Sequence, residues 1–217
     1  MADSDSRSGR TYADPEVLSW LEKVHAPHDD ALLSAFEAPE REGMPAIQVG
    51  VSEGKALSML LRLAQAEKVV EVGTLAGYSA IWMARALPPT GRLHSIENDP
   101  RHAEVASRNL KEAGLDDRVE IHVGAALEVL PTLVNRGPFD AVFIDADKGN
   151  YDAYGRWAAK NLRKGGLLLG DNAFYFGNLL AESEAASAMR RFHEEAAEAF
   201  DTVCLPTPDG LLLGIRR

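Results

Sequence analysis

From Glu67 onward, short apolar runs alternate with longer segments whose apolar residues recur every three or four positions. The runs EKVVEVG, RLHSIEN, RVEIHVG, FDAVFIDA and GLLLGDN predict strands. Helices are predicted over 78–86, 100–113 with Gly114 closing it, 126–134, 151–162 closing near Gly165-Gly166, and 182–199. The last carries Ala185, Met189, Phe192 and Ala196 at helical spacing. Strands alternating with helices predict a parallel, doubly wound α/β sheet. The end of the chain breaks the rhythm, because DTVCLP and LLLGIR flank the tight turn TPDG. A turn that short cannot make a parallel crossover, so these two strands are antiparallel. The expected fold is α/β: a doubly wound, mostly parallel seven-stranded sheet with a C-terminal antiparallel hairpin.

Before residue 67 the pattern is helical. Asp14-Pro15 reads as an N-cap followed by proline at the first helical position. A short helix through Trp20 and Leu21 should end before Pro27, and a second should span 29–37. MPAIQVGVSEG reads as a loop, and a third helix over 55–66 sets Leu57, Leu60, Leu61 and Ala64 on one face. The expected organisation is a polar, disordered tail (1–10), N-terminal helices packed on the core as lid, dimer face or substrate side (11–66), and a cofactor-binding catalytic core (67–217). At 217 residues this is one domain overall.

Composition narrows the function. Hydrophobic residues at 46% and charged residues at 26% are those of a soluble globular protein. The net charge of −10 argues against a broad phosphate-binding face, although one basic groove inside an acidic total stays open. Cys204 is the only cysteine, which excludes an intrachain disulfide and a thiolate zinc cluster. No apolar run approaches the ~20 residues of a membrane span, and MADSDSRSGR has no apolar core of a secretory signal. The expected location is the cytoplasm.

The strand tips carry the chemistry. In VVEVGTLAGYSA the glycines are Gly73 and Gly77, spaced G-x-x-x-G and not as the dinucleotide fingerprint. Glu71 adds an acid that would repel a pyrophosphate but suits a cationic or amino-acid-bearing cofactor. Glu97 ends the second strand, where an acid can accept from both ribose hydroxyls. S-adenosylmethionine fits these features better than NAD. The fourth strand ends in Asp145, with Asp147 and Lys148 following, and the fifth in Asp171 and Asn172. Neighbouring tips would bring two carboxylates and an amide together, the donors of a hard divalent cation: Mg²⁺ first, Mn²⁺ or Ca²⁺ with the same set. Otherwise each acid caps a helix or faces solvent.

With the segments IQVGVSEGKAL, VVEVGTLAGYSA, HSIENDP, FDAVFIDADKGNY and GDNAFYFG, the chain from about residue 44 to its end resembles the cation-dependent class I S-adenosylmethionine O-methyltransferases. That group contains the caffeoyl-CoA and catechol O-methyltransferases, and the similarity is to a bacterial-type, small-molecule member. It implies a Rossmann-like methyltransferase fold, methyl transfer to a hydroxyl of a catechol-like phenolic substrate, and a homodimer. By resemblance Asp145, Asp171 and Asn172 hold the metal, and Lys148 assists deprotonation beside Asp145. Glu71, Gly73, Ser79, Glu97, Ala126 and Asp145 or Asp147 line the cofactor site, with Val49 over its methionine end. Plant members carry tryptophan after the Asp-Asn pair; here Phe174, Tyr175 and Phe176 follow and form a candidate aromatic wall toward substrate. Tyr151 and Tyr154 read equally as cofactor contacts and as helix packing.

Two alternatives stay open. One keeps the fold but acts on a modified tRNA base; the other is a nucleotide-binding or NAD-dependent oxidoreductase without methyl transfer. His25-x-x-His28-Asp29 reads as an exposed loop in preference to a second metal site. His94, His102, His122 and His193 show no partner pattern and read as surface or half-buried, Trp82 reads as core, and Cys204 as a buried strand residue.

Overall fold

Asp14 and Asp29 begin the first two helices, accepting the Val17 and Leu32 N–H groups at 2.9 and 3.0 Å. These bonds satisfy donors that a helix start leaves orphaned. The helices are α1 (Pro15–His25), α2 (Asp30–Arg41) and α3 (Val51–Leu63) in a computed structural model that describes residues 14–217. The expected tail at 1–10 lies outside the described residues. α2 runs past its predicted end with Pro39 in its last turn. It stops where Gly43 turns left-handed (φ +64°) and the Met44 N–H returns to the Pro39 carbonyl at 2.8 Å. α3 starts four residues early because the Glu53 carboxylate reaches back to the Gly50 N–H at 3.0 Å.

Seven strands follow: β1 (Lys68–Val72), β2 (Arg92–Glu97), β3 (Val119–Val123), β4 (Phe139–Ile144), β5 (Leu162–Gly170), β6 (Phe200–Leu205) and β7 (Leu211–Arg216). Their order is β3-β2-β1-β4-β5-β7-β6. All neighbours are parallel except β7, which is antiparallel to both β5 and β6, as the tight turn requires. β5 begins earlier than predicted; its register against β4 shifts between Phe139 and Ala141, near the left-handed Gly165. Helices α4 (Tyr78–Ala86) and α5 (Pro100–Glu112) cover one face, α7 (Tyr151–Asn161) and α8 (Glu184–Ala199) the other. Between them α6 is only Ala126–Val129, because Pro131 tightens the rest into a 3₁₀ turn over Leu130–Arg136.

Strand residues divide between the two cores by parity. Val69, Ala141, Phe143 and Leu167 pack with α3 and α4, including Trp82, while Val70, Val142, Ile144 and Leu168 pack with α7 and α8. On α8 the buried stripe includes Ala186, Met189, Phe192 and Ala196; the expected Ala185 is only half-buried. No helix among the described residues is long and apolar enough to cross a membrane.

Several polar residues differ from expectation. His28 is not in an open loop: its Nε2 meets Tyr78 Oη at 2.8 Å and its ring lies against Phe36. His193 Nε2 donates to the Ala173 carbonyl at 2.8 Å. His94 is buried, not surface or half-buried, and it faces the half-buried His122 across β2 and β3 with Nδ1 and Nε2 at 3.2 Å. Cys204 is half-buried on β6.

At the opposite end of the sheet from the strand tips, Asp140 ties three strands together. Its carboxylate accepts the Glu67 and Lys68 N–H groups at 2.8 Å each and Arg163 Nε at 2.5 Å. Burial alone would raise its pKa, but Arg163 and the two backbone donors outweigh it and hold the group below the usual carboxylate range. Asp140→Ala should cost about 2–3 kcal/mol in urea unfolding, since charged hydrogen bonds are the stronger kind. A loss under about 0.5 kcal/mol would mean that the three bonds are replaceable by water.

Candidate active site

Strand order reverses between β1 and β4, and a cleft of about 800 Å³ opens above their carboxyl ends. That is where a doubly wound sheet binds ligands. Val49, Gly73, Ser79, Glu97, Ala126, Asp145, Asp147 and Tyr154 of the sequence-derived cofactor set all line it, and so do Lys148 and Asn172. Glu71 and Asp171 do not; both lie just beneath, 0% and 4% exposed.

Gly73 is required by the protein before any ligand arrives. Its φ is +100°, and a Cβ there would stand 1.9 Å from the Asp145 carbonyl oxygen. The loop that follows is clamped by Glu97, whose Oε2 accepts the Thr74 and Leu75 N–H groups at 3.2 and 2.8 Å. Its Oε1 accepts the Asp99 N–H at 2.9 Å. A carboxylate has about four acceptor positions, so Glu97 is oriented by these bonds and keeps capacity toward the cleft.

Glu71 behaves differently from the expected cofactor-facing carboxylate. The register pairs it with Ser95, which donates to Oε2 at 2.5 Å, and Ser79 of α4 donates to Oε1. Burial pushes its pKa up to about 8 against the pull of those two hydroxyls. At neutral pH the acid is mostly protonated and acts as part of the floor.

Farther along the cleft the acids crowd. Asp145 Oδ1 meets Lys148 Nζ at 3.2 Å, and Lys148 also donates to Tyr151 Oη at 2.7 Å. Tyr151 in turn donates toward the Ile144 and Asp171 carbonyls at 3.2 and 3.1 Å, so its role is packing and anchorage. Asn172 donates to Asp209, and Glu53, Asp171 and Asp209 present carboxylate oxygens within 4.8 Å of one another. One oxygen each of Glu53, Asp171 and Asp209 is buried without a hydrogen-bond partner. Asp171 is raised well above the carboxylate range by burial, then by Asp145, Glu53 and Asp209. Asp145 is raised by burial despite Lys148. Oxygen-only donors with unpartnered lone pairs fit a hard divalent cation.

Asp147 faces the other arm of the cleft, accepting from Tyr154 Oη and Asn150 Nδ2 at 2.6 Å each. Tyr154 is therefore buried helix packing with its hydroxyl on the cleft wall. Of the expected aromatic wall only Phe176 lines the cleft; Phe174 packs on Gly210, and Tyr175 lies beside Phe176.

Residues 25–217 match the model of the O-methyltransferase family. The chain belongs to that family. It is 49% identical over 170 residues to a catechol O-methyltransferase of Niastella koreensis, covering 76% of this chain and 77% of that one. A Mycobacterium tuberculosis catechol O-methyltransferase is 46% identical over 175 residues, 81% and 79% of the two chains. Among solved structures, an O-methyltransferase from Bacillus cereus in complex with S-adenosylhomocysteine superposes with a TM-score of 0.89 at 34% identity, covering 93% and 97%. One from Streptomyces achromogenes, involved in tomaymycin synthesis and in complex with S-adenosylmethionine, gives 0.87 at 37% identity over 93% and 96%. The protein is an S-adenosylmethionine-dependent O-methyltransferase, and the oxidoreductase alternative is set aside.

For this O-methyltransferase, sequence reasoning missed Glu53, Ser95 and Asp209. Ser95 could have been found from strand register, since it lies opposite Glu71. Asp209 was legible through topology, because β7 antiparallel to β5 brings the TPDG turn over the tip that bears Asp171.

A protonated Glu71 has a measurable consequence. The folded chain holds the proton up to about pH 8, whereas the free side chain releases it near 4.5. Its stabilisation is full below the lower value and is lost as pH rises through that window, by up to about 1.4 kcal/mol per unit. Glu71→Gln should flatten the fall in unfolding free energy between pH 5 and 8, about the window set by these two values. Parallel curves for the two proteins would show that Glu71 is ionised in the native state.

Proposed function

We propose that this O-methyltransferase methylates one hydroxyl of a vicinal diphenol with a divalent cation held by Asp145, Asp171 and Asn172. The observation that carries the reading is the buried, unpartnered Asp171 oxygen among neighbouring carboxyls that cannot all ionise together, a costly arrangement unless a cation completes it. The catechol O-methyltransferase names of the two bacterial relatives support the acceptor class. Mg²⁺ suits the oxygen donors, and Mn²⁺ or Ca²⁺ could use the same set.

When bound, the cation supplies Lewis acidity that lowers the pKa of a hydroxyl, and S-adenosylmethionine supplies an activated methyl group. The chain's own residues do the rest. Lys148, steered by Asp145 and Tyr151, orients the acceptor hydroxyl by a hydrogen bond and, in its free-amine form, receives that hydroxyl's proton at Nζ to become the ammonium paired with Asp145. Glu97 holds the ribose hydroxyls and Val49 closes over the methionine end. Phe176 flanks the acceptor ring and helps to exclude water. Holding oxygen, methyl and sulfur in line contributes several kcal/mol on its own. A homodimer belongs to the same reading: α1 leaves Val17, Trp20, Leu21 and Val24 exposed along one stripe.

Methyl transfer to a panel of vicinal diphenols should stop in EDTA and return with Mg²⁺. Asp171→Asn should lower turnover by about a hundredfold or more while raising thermal stability without metal at neutral pH, because it removes the cost of holding a proton on a buried acid that the unfolded chain would release. Chelation-insensitive turnover would discard the cation, and a metal-free Asp171→Asn less stable than wild type would discard the electrostatic argument. Sedimentation should give twice the chain mass; a monomer at micromolar concentration would remove the dimer.

A further inference from the structure

Away from the cleft, His94 of β2 with Glu120 and His122 of β3 forms a second constellation that the proposed reaction does not use. Glu120 is the registered partner of His94, and His122 follows it by two residues. The strand period therefore sets all three side chains on one face. His94 Nδ1 lies 3.2 Å from His122 Nε2 and 3.4 Å from Glu120 Oε2, and His122 Nε2 lies 3.7 Å from Glu120 Oε1. Two ligands at zinc-like bond lengths about a tetrahedral ion stand about 3.3 Å apart. The two ring nitrogens stand close to that spacing, and the carboxylate turns a different oxygen to each, so binding an ion through one oxygen asks only for rotation of the Glu120 side chain with the backbone where it is.

An imidazole–imidazole hydrogen bond would account for the first distance but not for the carboxylate that stands against both rings. That carboxylate has one other strong partner, Arg136, whose two nitrogens reach its oxygens at 2.5 and 3.2 Å. Glu120 is exposed and the His122 side chain is 16% exposed, so an ion has a path from solvent. Two imidazoles and one carboxylate suit zinc-class ions and not Mg²⁺, which separates this site from the acids of the cleft.

We propose that His94, Glu120 and His122 bind one divalent transition-metal ion of the zinc class, clasping edge strand β3 to β2, in competition with Arg136 for Glu120. Neither distal ring nitrogen makes a protein hydrogen bond among the described residues. Outer contacts of that kind tighten zinc centres, so affinity here is expected to be on the order of micromolar, not nanomolar.

The test is a Zn²⁺ titration of the full chain against a chromophoric chelator, in excess Mg²⁺ to occupy the cleft. Wild type should bind an equivalent of Zn²⁺ that Mg²⁺ does not displace. His122→Gln should weaken that binding by about tenfold or more, and Arg136→Gln should strengthen it severalfold by freeing Glu120. Co²⁺ should give wild type the visible absorption of a four-coordinate site, absent in His122→Gln. Methyl transfer should be unchanged in both variants. Equal Zn²⁺ affinity in wild type and His122→Gln, weaker binding in Arg136→Gln, or a featureless Co²⁺ titration would overturn the assignment.

Discussion

The ends of β1 and β4 meet backbone to backbone, with the Asp145 carbonyl occupying the space where a side chain on residue 73 would have to sit. Everything above the sheet depends on that approach. It brings the glycine loop, the Glu97 clamp and the Asp145–Lys148 pair to one crevice, although they come from three strands. A β-branched or even a methyl side chain at residue 73 would push the two tips apart and widen the cleft at its floor. The glycine that looks like a ligand-binding feature is first a packing feature, and the ligand inherits the geometry.

The fold treats its buried acids in two ways. Glu71 is fully enclosed but has a hydroxyl for each oxygen, and burial holds its proton in place. Such a group is satisfied and inert. Asp171 is nearly as buried, yet one oxygen has no partner and three other carboxyls lie close by. Placing an unsatisfied acid among like charges costs stability, and folds keep such arrangements mainly at functional sites.

Most of the architecture could be read from the chain because strand and helix periods differ, and because each of the five parallel strands ends at or runs into a glycine or an acid. Errors collected where a local rule was overridden. Pro131 shortened a helix whose apolar spacing was correct, and the Glu53 reach-back lengthened another. At the site, acids at strand ends were legible because the doubly wound topology says what lies above them. Glu53 and Asp209 escaped that reading: one sits on a helix before the first strand, and the other in a turn whose Asp-Gly already had a structural explanation, although the antiparallel β7 places it over the fifth tip. His94 and His122 were hidden for a related reason: their pairing depends on which strand neighbours which.

Beyond the fifth strand, Asn172, Tyr175 and Phe176 all adopt left-handed backbone conformations, with φ of 51°, 47° and 51°. Each costs about 1 kcal/mol or more for a residue with a side chain. Phe176 and Leu180, at 63% and 85% exposed, bury little in return. This rim is anchored at one end by Asn172 and at the other by Leu179 and by Arg190, which donates to the Leu179 and Ala181 carbonyls, while the side chains of Phe176 and Leu180 between stand out in solvent. Changes of sequence at those two positions can therefore accumulate at small cost to folding.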